Sequence, residues 1–79
     1  MEMVKLVETI AKSLVDNPDA VVVTKEPDEL GYILRLKVAP EDMGKIIGKQ
    51  GRNAKALRTV VKAVAARDNL KVMVEIEGD

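Results

Sequence analysis

Cysteine and histidine are both absent from this 79-residue chain, as are tryptophan and phenylalanine, and Ser13 and Tyr32 are the only serine and tyrosine. Without cysteine there is no disulfide framework and no thiolate metal site, which suits a reducing cytoplasm. Catalysis needs a nucleophile with its base, or a metal with its ligands. With no histidine, no cysteine and one serine on a predicted helix, neither can be built. No catalytic residue, metal ligand or cofactor is therefore expected. The lack of aromatics removes the stacking platforms that many single-strand binders use and leaves the core to Val, Leu, Ile, Ala and Met. No apolar run approaches the ~18 residues of a membrane span, and the first residues lack the basic-then-apolar order of a signal peptide. A cytoplasmic protein without membrane contact is expected, folding as one domain over residues 1–79 and burying about 60–65% of its unfolded surface.

The net charge is zero, yet its distribution is uneven. Residues 1–42 hold nine acids and five bases, and residues 68–79 hold four acids and one base. Between them, residues 43–67 carry seven bases (Lys45, Lys49, Arg52, Lys55, Arg58, Lys62 and Arg67) and no acid. A solvated helix face would explain scattered lysines, but such a face usually brings glutamates at i±4 to pair with them. None occur here, so the stretch reads as a surface for an anionic partner.

Along the chain, residues 2–15 form an amphipathic pattern with Met3, Leu6, Val7, Ile10 and Leu14 on one face, ended by Asn17-Pro18. Residues 20–24 are short and β-branched, and Glu26-Pro27-Asp28-Glu29 has turn chemistry, so a strand and a hairpin loop are expected. Leu30, Tyr32, Leu34, Leu36 and Val38 alternate with wetter residues as a return strand with one buried face. On this pattern Tyr32 packs in the core. Pro40-Glu41-Asp42 opens a short helix over residues 39–47, and residues 52–67 form a long one with Leu57, Val60, Val61, Val64 and Ala65 on one face. Leu70, Val72, Val74 and Ile76 alternate as the inward side of a last strand, and Gly78-Asp79 is expected to fray.

Between the two later helices lies Ile46-Ile47-Gly48-Lys49-Gln50-Gly51-Arg52. Two glycines allow a sharp turn and leave backbone N–H groups uncovered. Lys49 and Arg52 add charge, and the long helix starting there offers unpaired amides and a partial positive charge to a phosphate. A helix hairpin needing glycine for purely backbone reasons is the bland alternative. A nucleotide-hydrolysing P-loop is excluded, because only three residues separate Gly44 from Gly48 and Gln50 cannot replace the magnesium-binding hydroxyl.

The run from Ile46 to Leu57 resembles the signature of a KH (K-homology) RNA-binding domain, a family that clamps about four nucleotides with a GXXG loop. Gly48-Lys49-Gln50-Gly51 matches that loop, and the chain as a whole resembles the small bacterial single-KH-domain proteins of the KhpA group. The resemblance implies an α+β, type II KH fold of order α-β-β-α-α-β, with three helices packed on one face of a three-stranded mixed sheet. It also implies single-stranded RNA as partner, held with its phosphates near the loop. Lys45, Lys49, Arg52 and Lys55 would supply charge, Gln50 an amide, and Ile46 or Ile47 with Ala54 the floor of an aliphatic groove. Ala54 stands where many KH domains carry a larger aliphatic, which implies a roomier groove. Pairing with a second copy, or with a larger KH-containing RNA-binding protein, is implied too, as is a role as a small post-transcriptional regulator or RNA chaperone. Two alternatives stay open: a protein-interaction module on the same scaffold, and single-stranded DNA as the ligand.

Overall fold

The computed structural model describes residues 3–78. Helix α1 spans Met3–Leu14 and buries a stripe of Met3, Val7 and Ala11, spaced four residues apart. Met3 is its first described residue, and the expected start at Glu2 lies outside the described residues. A 3₁₀ turn at Pro18–Ala20 leads into β1, Val22–Asp28, and then β2, Gly31–Val38. A second 3₁₀ turn at Pro40–Asp42 precedes α2, Met43–Ile47. The chain continues through a 3₁₀ turn at Lys49–Gly51, α3 at Arg52–Arg67 and β3 at Lys71–Gly78.

The sheet has the order β1-β2-β3. β1 and β2 are antiparallel, in register from Val22↔Lys37 to Asp28↔Gly31. β2 and β3 are parallel, from Gly31↔Lys71 to Val38↔Gly78. Among the described residues this is the expected α+β arrangement of three helices and a mixed three-stranded sheet.

The hairpin turns later than its composition suggests. β1 runs through Glu26-Pro27-Asp28, and the turn is Glu29-Leu30. β1 is an edge strand, the one position in a sheet where proline's missing N–H breaks no ladder on the free side. Leu30 consequently sits in the turn, 66% exposed, rather than on the buried face.

The core is aliphatic throughout. Leu34, Leu36 and Val38 of β2 meet Val7 of α1 and Val61 of α3, all fully buried, with Val72 and Val74 of β3 beside them. Tyr32 is only half-buried, at the margin of this cluster, with the Lys25 ammonium 4.1 Å from its ring centre. On the opposite face of the sheet, Arg35 bonds Glu26, Glu75 and Glu77. The hydrogen bond and charge of Glu26, followed by Glu75, raise the Arg35 pKa above its ordinary value. These are cross-strand pairs that favour the observed register.

Candidate nucleic-acid interface

The loop between α2 and α3 takes a backbone path that few residues tolerate. The Gly48 N–H donates to the Gly44 carbonyl at 2.9 Å and closes α2. Gly48 then adopts φ 77°, ψ 173°, a region essentially restricted to glycine. Gln50 (φ 58°, ψ 26°) and Gly51 (φ 75°, ψ 13°) follow in left-handed conformation. A Cβ on Gly48 would lie 2.7 to 2.9 Å from the Cγ, Cβ and backbone nitrogen of Asn53. Asn53 is fixed in turn, because its Nδ2 donates to the Lys45 carbonyl at 2.8 Å. The side chain of Asn53 thus joins the end of α2 to the first turn of α3.

That first turn is open to a ligand. No side chain caps the N-terminus of α3, and no acid lies in its first turn. The Arg52 N–H is taken by the Lys49 carbonyl, and the positive end of the helix dipole meets no acid in that turn. Lys49, Gln50 and Arg52 are exposed beside it.

From the loop a trough runs along the seam between α3 and β3. Its first hollow, about 520 Å³, has an apolar floor of Met43, Ile47, Ala54 and Ile76 and a rim of Lys55, Arg58 and Lys62. A second of about 170 Å³ continues past Arg58 along Val72 and Val74. A third of about 350 Å³ closes the far end beside Leu70 and Lys71. Among the described residues, no acid lines any of the three. Lys45 and Arg35 are ion-paired elsewhere, but the cations of this rim have no ion-pair partner among the described residues.

A family model described as the KH domain of KhpA and KhpB matches residues 4–76. The chain belongs to the KhpA/KhpB family of KH domains. It is 65% identical over 74 residues to the RNA-binding protein KhpA of Clostridium acetobutylicum, covering 94% of this chain and 99% of that protein. The Clostridium perfringens protein of the same name matches equally well in identity and coverage. The one from Listeria monocytogenes is 47% identical over 94% of this chain and 97% of its own. No solved structure gave a significant match.

Within this KH domain the sequence-derived site residues do not all fall together. Gly51, Ile47, Ala54 and Lys55 line the first hollow, and Gly48, Lys49, Gln50 and Arg52 form the loop at its mouth. Ile46 does not reach the trough. It is 1% exposed and packed in the core, because a helix turns ~100° per residue and adjacent isoleucines face different ways. Lys45 is also diverted. Its ammonium lies 2.9 Å from Asp16 and 3.5 Å from Asp42, and the hydrogen bond and charge of Asp16, with Asp42 beyond it, raise its pKa.

Asp42, part of the Pro40-Glu41-Asp42 helix start, has a structural task. It is fully buried and accepts from the backbone N–H groups of Asp16 (3.2 Å) and Asn17 (3.0 Å) and from Asn17 Nδ2 (3.2 Å). Burial alone would raise its pKa, but these donors and Lys45 outweigh it and hold the pKa below the ordinary value. The start of α2, and so the loop it feeds, is anchored to the segment after α1.

Met43, Asn53, Arg58, Thr59, Lys62 and Ile76 complete the site and were not in the sequence-derived set. Arg58 and Lys62 were within reach, since they follow Lys55 by three and seven residues on one helical line. Met43 and Ile76 come from segments that only the fold brings together.

Proposed function

We propose that this KH domain clamps a short segment of single-stranded RNA. Phosphates lie against the open N-terminus of α3 and the Gly48–Gly51 backbone, near Lys49, Arg52 and Lys55. Bases lie in the trough on Ile47, Ala54 and Ile76. The observation that carries this reading is a trough that, among the described residues, has no acid and has cations without ion-pair partners, opening at a helix N-terminus with no side-chain cap. The relatives named RNA-binding proteins support it.

Three or four phosphate contacts give log K a slope of about −2 to −3 against log salt, so one domain binds weakly. Pairing with a second copy or a larger KH-containing protein raises effective concentration without new RNA contacts. An apolar hollow of about 200 Å³ between α1 and α3, lined by Ile10, Leu14, Ala56 and Val60, leaves the trough free for such pairing. In the cell this suits a cytoplasmic post-transcriptional regulator or RNA chaperone.

The test is fluorescence-anisotropy titration of short random RNA with wild type and the double variant Lys49→Asp, Gln50→Asp, at low and moderate salt. Aspartate tolerates the left-handed backbone at position 50, and circular dichroism checks the fold. The folded variant should lose binding and most of the salt slope. Binding equal to wild type would remove the loop from the site and favour a protein-interaction module.

A further inference from the structure

We infer that Met43 is a site of reversible oxidation, at which a peroxide converts the thioether in the trough floor to a sulfoxide and lowers RNA affinity while the fold persists. This rests on the reading of the trough as an RNA site and adds a control over its occupancy.

With no cysteine, histidine or tryptophan in the chain, methionine is the side chain most open to oxygen transfer. The three methionines among the described residues stand in three environments. Met3 is 8% exposed and packs in the core, whereas Met73 on β3 is 58% exposed. Met73 borders the farther hollows, but its neighbours Val72 and Val74 take the buried face, so its side chain points to the open face of the sheet. Met43 lies between these extremes: it is half-buried, packs against the core and lines the 520 Å³ hollow. It is also the first residue of α2, and its side chain lies over the end of β3. A Cβ placed on Gly78 would stand 3.1 Å from the Met43 Cγ and 3.5 Å from its Sδ. Gly78 carries no such atom and is exposed, so the sulfur is approachable past the strand end as well as from the hollow.

Hydrogen peroxide transfers one oxygen atom to a lone pair of Sδ. The O–O bond breaks, the thioether is oxidised to a sulfoxide, and the second oxygen leaves as water. The new oxygen is a strong acceptor set among Ile47, Ala54 and Ile76, whose side chains offer it no donor. In the free protein the hollow is open to solvent and water satisfies it, so the cost to the fold is small. Under a bound base that water is expelled, and the oxygen is either left unpaired or draws a rim cation away from the phosphates. The penalty therefore falls on the complex. The same oxygen on Met73 stays in water in both states and costs little.

Wild type, Met43→Leu and Met73→Leu would be exposed to hydrogen peroxide for increasing times, freed of it, and titrated with labelled short random RNA by anisotropy, with circular dichroism following the fold. Leucine conserves the volume and has no sulfur to oxidise. Mass spectrometry assigns the sulfoxides, since Met43 and Met73 fall on different tryptic peptides. Met73 should oxidise first, Met43 next and Met3 last. Wild-type affinity should fall about tenfold in step with the Met43 sulfoxide, within the range for a polar group buried without a partner, and return on treatment with the two methionine sulfoxide reductases. Met73→Leu should lose affinity as wild type does, and Met43→Leu should keep it. Full affinity with Met43 oxidised, an equal loss in Met43→Leu, oxidation of Met43 no faster than of Met3, no recovery with the reductases, or unfolding of the oxidised chain overturns this inference alone. Untreated wild type that binds no RNA overturns the RNA reading and this inference with it.

Discussion

Gly48 and Gly51 bracket the same loop but should respond very differently to alanine. At Gly51 the backbone is left-handed, φ 75° and ψ 13°, and a Cβ would meet nothing within 4 Å. The cost is conformational only, about 1 kcal/mol. At Gly48 two costs combine. The conformation, φ 77° with ψ 173°, costs about 1–3 kcal/mol in a residue with a Cβ. The Cβ would also sit 2.9 Å from the Asn53 backbone nitrogen, which cannot retreat without displacing the first turn of α3; such overpacking costs about 1–3 kcal/mol more. A total of about 3–4 kcal/mol is a large share of the roughly 4–12 kcal/mol expected for a chain of this length. Thermal unfolding followed by circular dichroism is the assay. At about 4–8 °C per kcal/mol for a domain of this size, Gly51→Ala should lower Tm by about 4–8 °C and Gly48→Ala by about 12–32 °C. Equal losses, or a smaller one at Gly48, would refute the argument that Asn53 makes the first glycine the stricter requirement.

Two further outcomes are expected. The Asp42 pKa is lowered in the folded chain, so its contribution to stability is present above the ordinary carboxylate pKa of about 4 and is lost as pH falls through the lower native value. Asp42→Asn should lower Tm at pH 7 and flatten the loss of Tm between pH 5 and pH 2; parallel curves for variant and wild type would contradict this. Val60 is 41% exposed on the face of α3 away from the trough, and Val60→Asp should abolish pairing in sedimentation analysis while leaving the monomer folded. A wild type already monomeric at high concentration would remove pairing from the functional reading.

Much of this architecture was legible where a period is long and local. The apolar spacing of α3 and the alternation of β2 and β3 each translate into a buried face, except at Val60, which the spacing places inward and the fold leaves exposed, and the glycine loop stood out through its charge and its place before a helix. The misplaced details depended on partners elsewhere in the chain. Pro27 reads as a turn until its strand is known to lie at the edge. Ile46 and Ile47 are equivalent in sequence, and only the packing of α2 against α3 and α1 sends the first into the core and the second to the trough. Lys45 reads as a free cation until Asp16, twenty-nine positions earlier, is brought to 2.9 Å from it. Asp42 reads as a dipole partner, because nothing near it in the chain announces that residues 16 and 17 will donate to it.

The two walls of the trough have different origins. α3 is local and is joined to α2 by a short loop, whereas β3 pairs in parallel with β2 across the whole α2–loop–α3 unit that lies between them in the chain. Loop closure of this length must precede the contacts that reward it, so β3 docking is expected to be the late event in folding. A chain with β3 detached would retain the glycine loop and its cations but lack Val72, Val74 and Ile76, and with them one wall of the trough. Such a partly open form would attract a phosphate backbone without discriminating among bases. An RNA that fills the trough holds helix and strand together and stabilises the closed form by mass action. Amide exchange along β3 is where bound RNA would leave its clearest trace, farther from the loop than the charge pattern alone suggests.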